Sequence, residues 1–334
     1  MKAMVLPAAG LIEDSPLRWQ DTEEPVPGPG QIVIKVSACG VCRSNLHMVE
    51  GDWLPGTPAS FPVIPGHEVT GTVAQLGPGV TSVSRGDRLG VAPIWSTCGS
   101  CRFCLSGAEQ LCRQRQVTGE TRDGGYAQLM LADAAFAHPI PQELCDAEAA
   151  PLLCPGLTAY GAVKKACLVA GQKVGVVGVG GVGHVVIQIA RLTGADVYAV
   201  TRNPLHCAVA EEVGALASYA PAGHEGIHLP DGSLDAAIVF APSAAAVAEA
   251  LRLIRPGGKI VLGTSETVGP LDVGDEKTVI ATVLGSRWDM HEVLALAAAG
   301  KLRCIYDQFP LNDANSVLGQ LKAGRLRARA VLVP

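Results

Sequence analysis

The chain has 334 residues, of which 48% are hydrophobic and 17% are charged. This length is more than one hydrophobic core comfortably serves, so two domains are expected. The net charge of −5 leaves no basic surface, which excludes nucleic acid and anionic membranes from the expected partners.

The apolar segments and the cysteines favour a cytoplasmic protein. The N-terminal residues carry one lysine and a short apolar stretch broken by Pro7 and Gly10, which predicts an opening strand rather than a secretory signal. The longest apolar run, residues 174–190, contains five glycines and is too short to span a bilayer. Eleven cysteines, an odd number, fit a reducing compartment in which thiols are ligands or core residues.

Up to residue 154 the pattern is that of an irregular all-β domain with long loops. Short β-like runs lie at residues 32–38, 68–77 and 87–94, and Pro- and Gly-rich segments such as 23–31 separate them. From residue 155 strands and helices alternate, which indicates a parallel sheet. Strands are predicted at 173–178, 196–201, 235–240, 259–263 and 279–284, and helices at 181–192, 204–213, 244–254 and 289–299. Residues 305–334 return to a strand–helix–strand pattern and are expected to rejoin the first domain.

Four cysteines lie within fifteen residues with the spacing C-x2-C-x2-C-x7-C, namely Cys98, Cys101, Cys104 and Cys112. Thiolates this close can surround one zinc ion tetrahedrally. Two disulfides or four free buried thiols are the alternatives, but two bridges in so short a loop would be strained. A zinc shell filled by four sulfurs has no position for substrate, so this site is predicted to be structural, in a lobe of about residues 95–115.

A glycine-rich turn lies between the first predicted strand and helix of the second half. Gly178, Gly180 and Gly183, with Gly181 and Val182 between them, form G-x-G-x-x-G. In a β-α-β unit these glycines let a pyrophosphate approach the backbone at a helix N-terminus. The turn therefore predicts dinucleotide binding, and a merely structural tight turn is the alternative.

The end of the second strand of this unit bears on the choice of dinucleotide. An Asp or Glu there would bind the ribose hydroxyls of NAD, but the chain has Thr201 followed by Arg202. Losing the carboxylate removes repulsion of a 2′-phosphate, and an arginine can neutralise that phosphate. NADP is favoured over NAD, unless Arg202 is simply a solvated surface residue.

Further motifs carry a family resemblance. Gly66-His67-Glu68-x2-Gly71-x5-Gly77-x2-Val80, the cysteine lobe, the glycine turn and the domain order together resemble the zinc-dependent medium-chain alcohol dehydrogenases nearly end to end. The resemblance implies a GroES-like β-barrel catalytic domain, residues 1–154 and 286–334. It also implies a doubly wound parallel-sheet Rossmann domain, residues 155–285.

The resemblance also implies roles for individual residues. A catalytic zinc would bind Cys42, His67 and Cys154 with a fourth position open, so two zinc ions per chain are expected. Glu68 would lie beside this zinc, Ser44 would take the alcohol's proton, and His47 would pass it to solvent. Cofactor contacts are implied for Arg43, Thr158 and Arg287. The alternatives are a capping serine, a surface histidine and solvated arginines.

One position departs from the family. Asn45 stands where an aspartate commonly orients the zinc-binding histidine, and a neutral amide pushes less charge toward the metal. A functional but electronically retuned zinc is therefore predicted. Trp53 and Trp95 fall in loops that line the substrate cleft in the family, although both could be packing residues.

The expected activity is hydride transfer between a zinc-bound alcohol and NAD(P), as an alcohol dehydrogenase or aldehyde reductase. The alternatives are a polyol or other specialised dehydrogenase of the same fold, a non-enzymatic redox sensor, and a zinc hydrolase, which would not need the dinucleotide turn. Resemblance further implies a homotetramer, with a homodimer second, in contact near residues 279–284.

Overall fold

The computed structural model of the chain describes residues 1–52 and 60–334. Within these residues the chain divides into two compact units. The first contains Met1–Cys154, Ser286–Ala299 and Tyr306–Pro334, and the second contains Pro155–Gly285 and Gly300–Ile305. The predicted domain boundaries placed residues 300–305 in the first unit, whereas their contacts group them with the second.

The chain up to residue 154 is dominated by strands. They are β1 (Lys2–Val5), β2 (Arg18–Asp21), β3 (Gln31–Gly40), β4 (Val69–Leu76), β5 (Arg88–Val91), β6 (Ile94–Ser96), β7 (Gln116–Val117), β8 (Leu129–Asp133) and β9 (Ala137–Pro139). Short helices interrupt them at α1 (Arg43–Glu50), α2 (Arg102–Leu105) and α3 (Asp146–Ala149).

Strands and helices alternate in the rest of the chain. The strands are β10 (Lys173–Val177), β11 (Asp196–Val200), β12 (Ala217–Tyr219), β13 (Leu234–Val239), β14 (Ile254–Leu262), β15 (Thr278–Ala281), β16 (Tyr306–Pro310) and β17 (Arg329–Val333). The helices are α4 (Pro155–Ala166), α5 (Gly183–Leu192), α6 (Pro204–Glu212), α7 (Ala244–Leu253), α8 (Arg287–Ala298) and α9 (Ala314–Lys322).

The first unit is built on a mixed sheet in the order β16-β17-β3-β4-β5-β9, with β8 also paired to β3. Every second residue in the middle of the long strand β3 packs into the hydrophobic core of this unit, namely Ile32, Ile34 and Val36. Strand β17 pairs antiparallel with the end of β3, so the C-terminal segment does rejoin the first unit. The antiparallel pairing of β3 with β4 brings the end of one strand beside the start of the next.

The second unit is built on a six-stranded parallel sheet in the order β12-β11-β10-β13-β14-β15. The chain moves outward from β10 to β12 and then returns to β13 on the other side of β10. The loop after β10 therefore lies where the strand order reverses, which is where such sheets bind ligands. The predicted parallel sheet is confirmed, and β12, which the sequence analysis did not predict, is one of its two edges.

Candidate metal centres and dinucleotide-binding turn

The four cysteines of the lobe surround a single point. The Sγ of Cys98 lies 3.8 Å from that of Cys104 and 3.6 Å from that of Cys112, and the Sγ atoms of Cys101 and Cys104 are 3.5 Å apart. Sulfurs about 2.3 Å from one tetrahedral zinc would lie about 3.8 Å from each other. The cysteines are free thiols, so the disulfide alternative is wrong and the arrangement fits zinc.

Hydrogen bonds around the cysteine lobe stabilise the thiolate form of two of its cysteines. The N–H groups of Ser100 and Cys101 point at the Cys98 sulfur and lower the pKa of that thiol to about 6. Helix α2 places Cys104 one turn after Cys101, and the hydroxyl of Thr97 lies 3.4 Å from the Cys104 sulfur. Hydrogen bonds to a sulfur favour its charged form, so the pKa values of Cys98 and Cys104 are lowered toward the thiolate state that zinc needs.

Cys101→Ser is therefore expected to remove the zinc ion of the cysteine lobe and to leave the second metal cluster unchanged. A serine hydroxyl stays protonated and is a poor zinc ligand, so the variant should hold one zinc per chain instead of two. Its thermal unfolding midpoint should fall by roughly 5–10 °C because metal binding free energy is folding free energy. Elemental analysis and calorimetry measure both, with Cys207→Ser, in helix α6, as the matched control. A variant as stable as the parent would contradict a structural role.

The second cluster is assembled by the β3–β4 pair. Cys42 follows the end of β3 and caps helix α1, while His67 lies two residues before the start of β4. The N–H of Gly40 donates to the carbonyl of Glu68 at 2.9 Å, which fixes the two strand ends side by side. Cys154 joins them from the end of the buried 3-10 turn Ala150–Leu153.

The ligand atoms of this cluster fit a metal ion with an open position. One atom each from Cys42, His67, Glu68 and Cys154 lies within 4.8 Å of the others, and the two sulfurs are 3.9 Å apart. The Cys154 thiol donates to the Cys42 sulfur and holds the pKa of Cys42 well below its usual range. Two sulfurs and one imidazole are a ligand set that catalytic zinc uses, with its fourth position left for water or substrate.

Glu68 is ion-paired with an arginine that the sequence analysis missed. Its carboxylate accepts a hydrogen bond from Arg329, at the start of β17, and both side chains are at most 4% exposed. A Cβ on Gly40 would lie 1.9 Å from Glu68 Oε2, so only glycine leaves room for this carboxylate. Burial raises the pKa of Glu68 to about 7 against the lowering effect of Arg329. The available sequence signal for this partner was Arg329 itself, a single arginine at the start of an otherwise apolar strand.

The residues predicted for the proton relay lie on helix α1. The Ser44 hydroxyl is 3.1 Å from the Cys42 sulfur and 3.4 Å from His67 Nε2, so it is at the metal cluster. Nδ1 of His47, one turn later, is 3.0 Å from an Asp52 oxygen, and the His47 side chain is about one-third exposed. Arg43 is exposed at the first position of the helix. The three roles remain predictions.

Asn45 occupies the position predicted to orient His67, but its amide serves two neighbours. Its Oδ1 accepts a hydrogen bond from the Cys42 N–H at 3.4 Å, and its Nδ2 is 3.4 Å from His67 Nδ1. When His67 binds a metal through Nε2, its ring proton is on Nδ1. The NH2 group of Asn45 is itself a donor, so it cannot accept a hydrogen bond from that Nδ1–H group. The amide must then turn and leave the Cys42 N–H without its acceptor. An aspartate would serve both donors with two oxygens.

Asn45→Asp is therefore expected to tighten the metal site and shift the pH profile. A carboxylate makes His67 a stronger donor, which lowers the acidity of the zinc, so the profile of alcohol oxidation should move to higher pH. Resistance to a chelator should rise by about tenfold. The pH dependence of kcat and the rate of zinc loss are the measurements, and exposed Asn312→Asp is the control. An unshifted pH profile of kcat would reject the hypothesis that Asn45 alters the electronic properties of the catalytic zinc.

The glycine turn has the geometry that its motif predicts. Gly178 has φ +91°, and a Cβ there would lie 2.6 Å from the backbone nitrogen of Ala241. A Cβ on Gly183, the first residue of α5, would lie 2.1 Å from the Gly178 carbonyl oxygen, whereas around Gly180 there is open space. Gly178 and Gly183 are thus required for packing and Gly180 leaves the backbone accessible, as a pyrophosphate site requires. Gly181 and Val182 connect the turn to the helix.

Thr201 and Arg202 follow β11, as predicted. Thr201 is buried and its hydroxyl accepts the Asn203 N–H at 3.4 Å. Arg202 is exposed, and its guanidinium pairs with no carboxylate in the described part of the chain. Thr158 is half-buried in α4. The cofactor contacts of these residues stay predictions.

The remaining predicted residues have other partners or lie outside the described residues. Arg287, which opens α8, donates to both oxygens of Glu109 and to the Ala135 carbonyl, and its guanidinium lies 4.2 Å from the Phe136 ring centroid. A phosphate contact would have to compete with Glu109. Trp95 is buried, donates to the Leu131 carbonyl and lies under the Arg122 guanidinium, an environment that fits packing. Trp53 falls outside the described residues.

Known proteins share these features. Residues 28–142 match the alcohol dehydrogenase GroES-like domain family, and residues 181–299 match the zinc-binding dehydrogenase family. An alcohol dehydrogenase of Geobacillus stearothermophilus is 37% identical over 334 residues, which cover 97% of this chain and 98% of that protein. The chain belongs to the zinc-binding medium-chain alcohol dehydrogenase family.

Solved structures agree with this family membership. The acetophenone reductase of Geotrichum candidum NBRC 4597, in complex with NAD, is 29% identical with a TM-score of 0.87 and covers 100% of this chain and 97% of its own. A zinc-binding dehydrogenase of Sinorhizobium meliloti 1021, bound to NADP, is 28% identical with a TM-score of 0.87. The match covers 100% of this chain and 99% of that one. The predicted GroES-like domain and Rossmann sheet are confirmed.

The enzyme is accordingly a zinc-dependent alcohol dehydrogenase, an oxidoreductase acting on CH–OH groups. It has a structural zinc site in the cysteine lobe and a catalytic zinc site at Cys42, His67 and Cys154 with Glu68 beside them, and its relatives bind NAD or NADP. The redox-sensor and hydrolase alternatives are thereby set aside. Among the helices of the described residues, none has the length and hydropathy to cross a membrane.

Proposed function

We propose that this alcohol dehydrogenase oxidises alcohols, and reduces the corresponding aldehydes, with NADP preferred over NAD. The observation that carries the reaction is the position of the Ser44 hydroxyl, 3.1 Å from the Cys42 sulfur and 3.4 Å from His67 Nε2. A substrate oxygen in the open position beside these ligands would lie within reach of that hydroxyl. When bound, zinc acts as a Lewis acid that acidifies an alcohol, and the nicotinamide takes up hydride.

The chain's own residues then handle the proton and the metal ligands. Ser44 receives the substrate's hydroxyl proton, and His47, paired with Asp52 at a partly exposed position, passes it to solvent. Glu68 and Arg329 together contribute no net charge behind the cluster, so Cys42 and Cys154 set the negative charge near the metal. Arg43, Thr158 and Arg287 are proposed to contact the cofactor, Arg287 in exchange for its ion pair with Glu109.

The preference for NADP is inferred from the end of β11. The buried Thr201 replaces the carboxylate that would bind the ribose hydroxyls and repel a 2′-phosphate. Arg202 is exposed there and has no described carboxylate partner, so its guanidinium is available to the phosphate. A charge-assisted contact of this kind gives about a tenfold or larger preference.

The test is a substrate panel run with both cofactors. We expect kcat/KM for NADP to exceed that for NAD, and Arg202→Ala to remove most of the difference while Arg191→Ala, at the far end of α5, does not. A strong NAD preference in the parent enzyme would overturn the proposed cofactor choice. Turnover of sugars and sugar alcohols alone, with no monoalcohol or diol accepted, would instead favour the specialised-dehydrogenase alternative.

We further propose a cytoplasmic homotetramer, with a homodimer as the alternative. Strand β15 is an edge of the parallel sheet, and Val283, just beyond it, is 47% exposed. An edge strand with exposed apolar residues is a surface at which copies of a chain can pair. Light scattering determines the number of chains, and Val283→Lys should lower it if residues 279–284 form the contact.

A further inference from the structure

A second carboxyl group, on Glu120, belongs to a loop packed against Gly66, the residue before His67, and has no assigned role. Its side chain is buried, with a relative exposure of 2%. Oε2 has no hydrogen-bond partner within residues 1–52 and 60–334. Buried polar atoms are nearly always paired in native proteins, and an unpaired one indicates strain, an unseen ligand or a functional role.

The loop that carries Glu120 is held against the residue that precedes His67. A Cβ on Gly119 would lie 2.6 Å from the Gly66 nitrogen, and one on Gly124 would lie 2.0 Å from the Gly66 oxygen. The Gly125 N–H donates to the Gly66 carbonyl at 2.9 Å. The two backbones therefore touch without intervening side chains. This contact, the glycine seam, fixes the position of Glu120 relative to the metal ligand.

The Glu120 carboxyl is desolvated and is coupled electrostatically to two of the metal ligands. Burial raises its pKa to about 7, and the charges of His67, Cys42 and Arg115 also act on it. Arg115 makes no ion pair with it within hydrogen-bond distance; its guanidinium donates instead to the Cys112 carbonyl. A buried carboxyl oxygen that has no hydrogen-bond partner among the described residues, in a loop packed against the neighbour of a metal ligand, is a candidate for contact with substrate.

We propose that Glu120 is a specificity-determining residue that hydrogen-bonds a second hydroxyl group of the substrate. The preferred substrates are then diols or other hydroxylated alcohols, in which the second hydroxyl lies a few bonds from the oxidised carbon. The inference rests on the proposed oxidation of alcohols at the Cys42–His67–Cys154 cluster. It adds the chemical class of the substrate.

A hydroxyl suits this carboxyl better than an ammonium group does. A hydroxyl both donates and accepts, so it can pair with a carboxylate and with a neutral carboxylic acid. An ammonium group would pair only with the carboxylate and would lose its hydration on entering a buried site. Plain monoalcohols would leave the carboxyl buried and unpaired, which costs about 1–3 kcal/mol, or roughly 10–100-fold in kcat/KM.

The experiment compares 1-butanol with 1,2-, 1,3- and 1,4-butanediol in the zinc-loaded enzyme. The measured quantity is the ratio of kcat/KM for each diol to that for 1-butanol. We expect at least one diol to be preferred by the parent enzyme. Glu120→Leu should lower that ratio by roughly 10–100-fold, and isosteric Glu120→Gln should keep much of it because an amide still bonds a hydroxyl. Exposed Glu143→Gln is the control that should leave the ratio unchanged.

The outcomes separate this inference from the proposed function. Absence of turnover of every alcohol with either cofactor would contradict the proposed function. In that case calorimetric binding of 1,3-butanediol to the parent and to Glu120→Leu still tests Glu120, and equal affinities would overturn its role. An unchanged ratio in Glu120→Leu, an equal loss for 1-butanol and the diols, or a preference for 4-amino-1-butanol would also overturn it.

Discussion

Cys42→Ser is expected to lower kcat by about a thousandfold or more while the fold is retained. The Cys42 sulfur lies 3.9 Å from the Cys154 sulfur, and the Ser44 hydroxyl is within 3.1 Å of it. A serine at this position offers a neutral hydroxyl instead of a thiolate. The site then loses both metal affinity and the negative charge that matches the metal. Steady-state kinetics and zinc content per chain are the measurements.

The variant separates the catalytic zinc from the structural one. Cys42→Ser should retain the zinc of the cysteine lobe, so the content should fall from two to one without a large change in the unfolding midpoint. Cys101→Ser should lose the other zinc and a larger share of stability. Cys207→Ser should behave as the parent enzyme in both measurements. A Cys42→Ser enzyme with a tenth of the parent's kcat would show that this sulfur is not needed at the reacting centre.

Glu68→Gln is expected to lower the free energy of unfolding by about 3–5 kcal/mol. The change leaves Arg329 charged and buried without its partner, and an arginine cannot lose its proton at accessible pH. Arg329→Gln should cost less, because the abandoned carboxyl of Glu68 can take up a proton and become neutral. The double variant Glu68→Leu/Arg329→Met should recover much of the loss, since apolar pairs often replace buried ion pairs without penalty.

Denaturant unfolding of the four proteins tests this order. Asp21→Asn, which breaks the exposed pair of Asp21 with Lys2, is the control and should leave the unfolding transition unchanged, because surface ion pairs contribute little. Equal losses in Glu68→Gln and Arg329→Gln would contradict the explanation from protonation. A Glu68→Gln enzyme as stable as the parent would show that the buried pair has no structural importance.

Local patterns predicted local structure well. The α/β alternation after residue 155 predicted every strand of the parallel sheet except β12, because buried strands and amphipathic helices have distinct periods. The spacing of the lobe cysteines identified one metal site, since three of them lie within a seven-residue segment that ends inside helix α2. The turn from Gly178 to Gly183 followed from its motif and its position between strand and helix.

Contacts between distant segments could not be predicted from spacing. Cys42, His67 and Cys154 are joined by the pairing of β3 with β4 and by a turn more than eighty residues later, so only the family resemblance connected them. The partner of Glu68 lies in the last strand of the chain. Glu120 looked like an ordinary charged loop residue, because neither its burial nor its lack of a partner is visible in the sequence. The ion pair of Arg287 with Glu109 depends likewise on tertiary structure.

The glycine seam has a consequence for engineering. Because Gly66, Gly119 and Gly124 meet through their backbones, none of the three positions can be varied without moving the His67 ligand. The side chain at position 120 takes no part in that contact. If Glu120 contacts substrate as proposed, saturation mutagenesis at 120 alone changes substrate preference while the glycine seam is kept, whereas libraries that include the glycines will consist mainly of inactive, metal-poor enzymes.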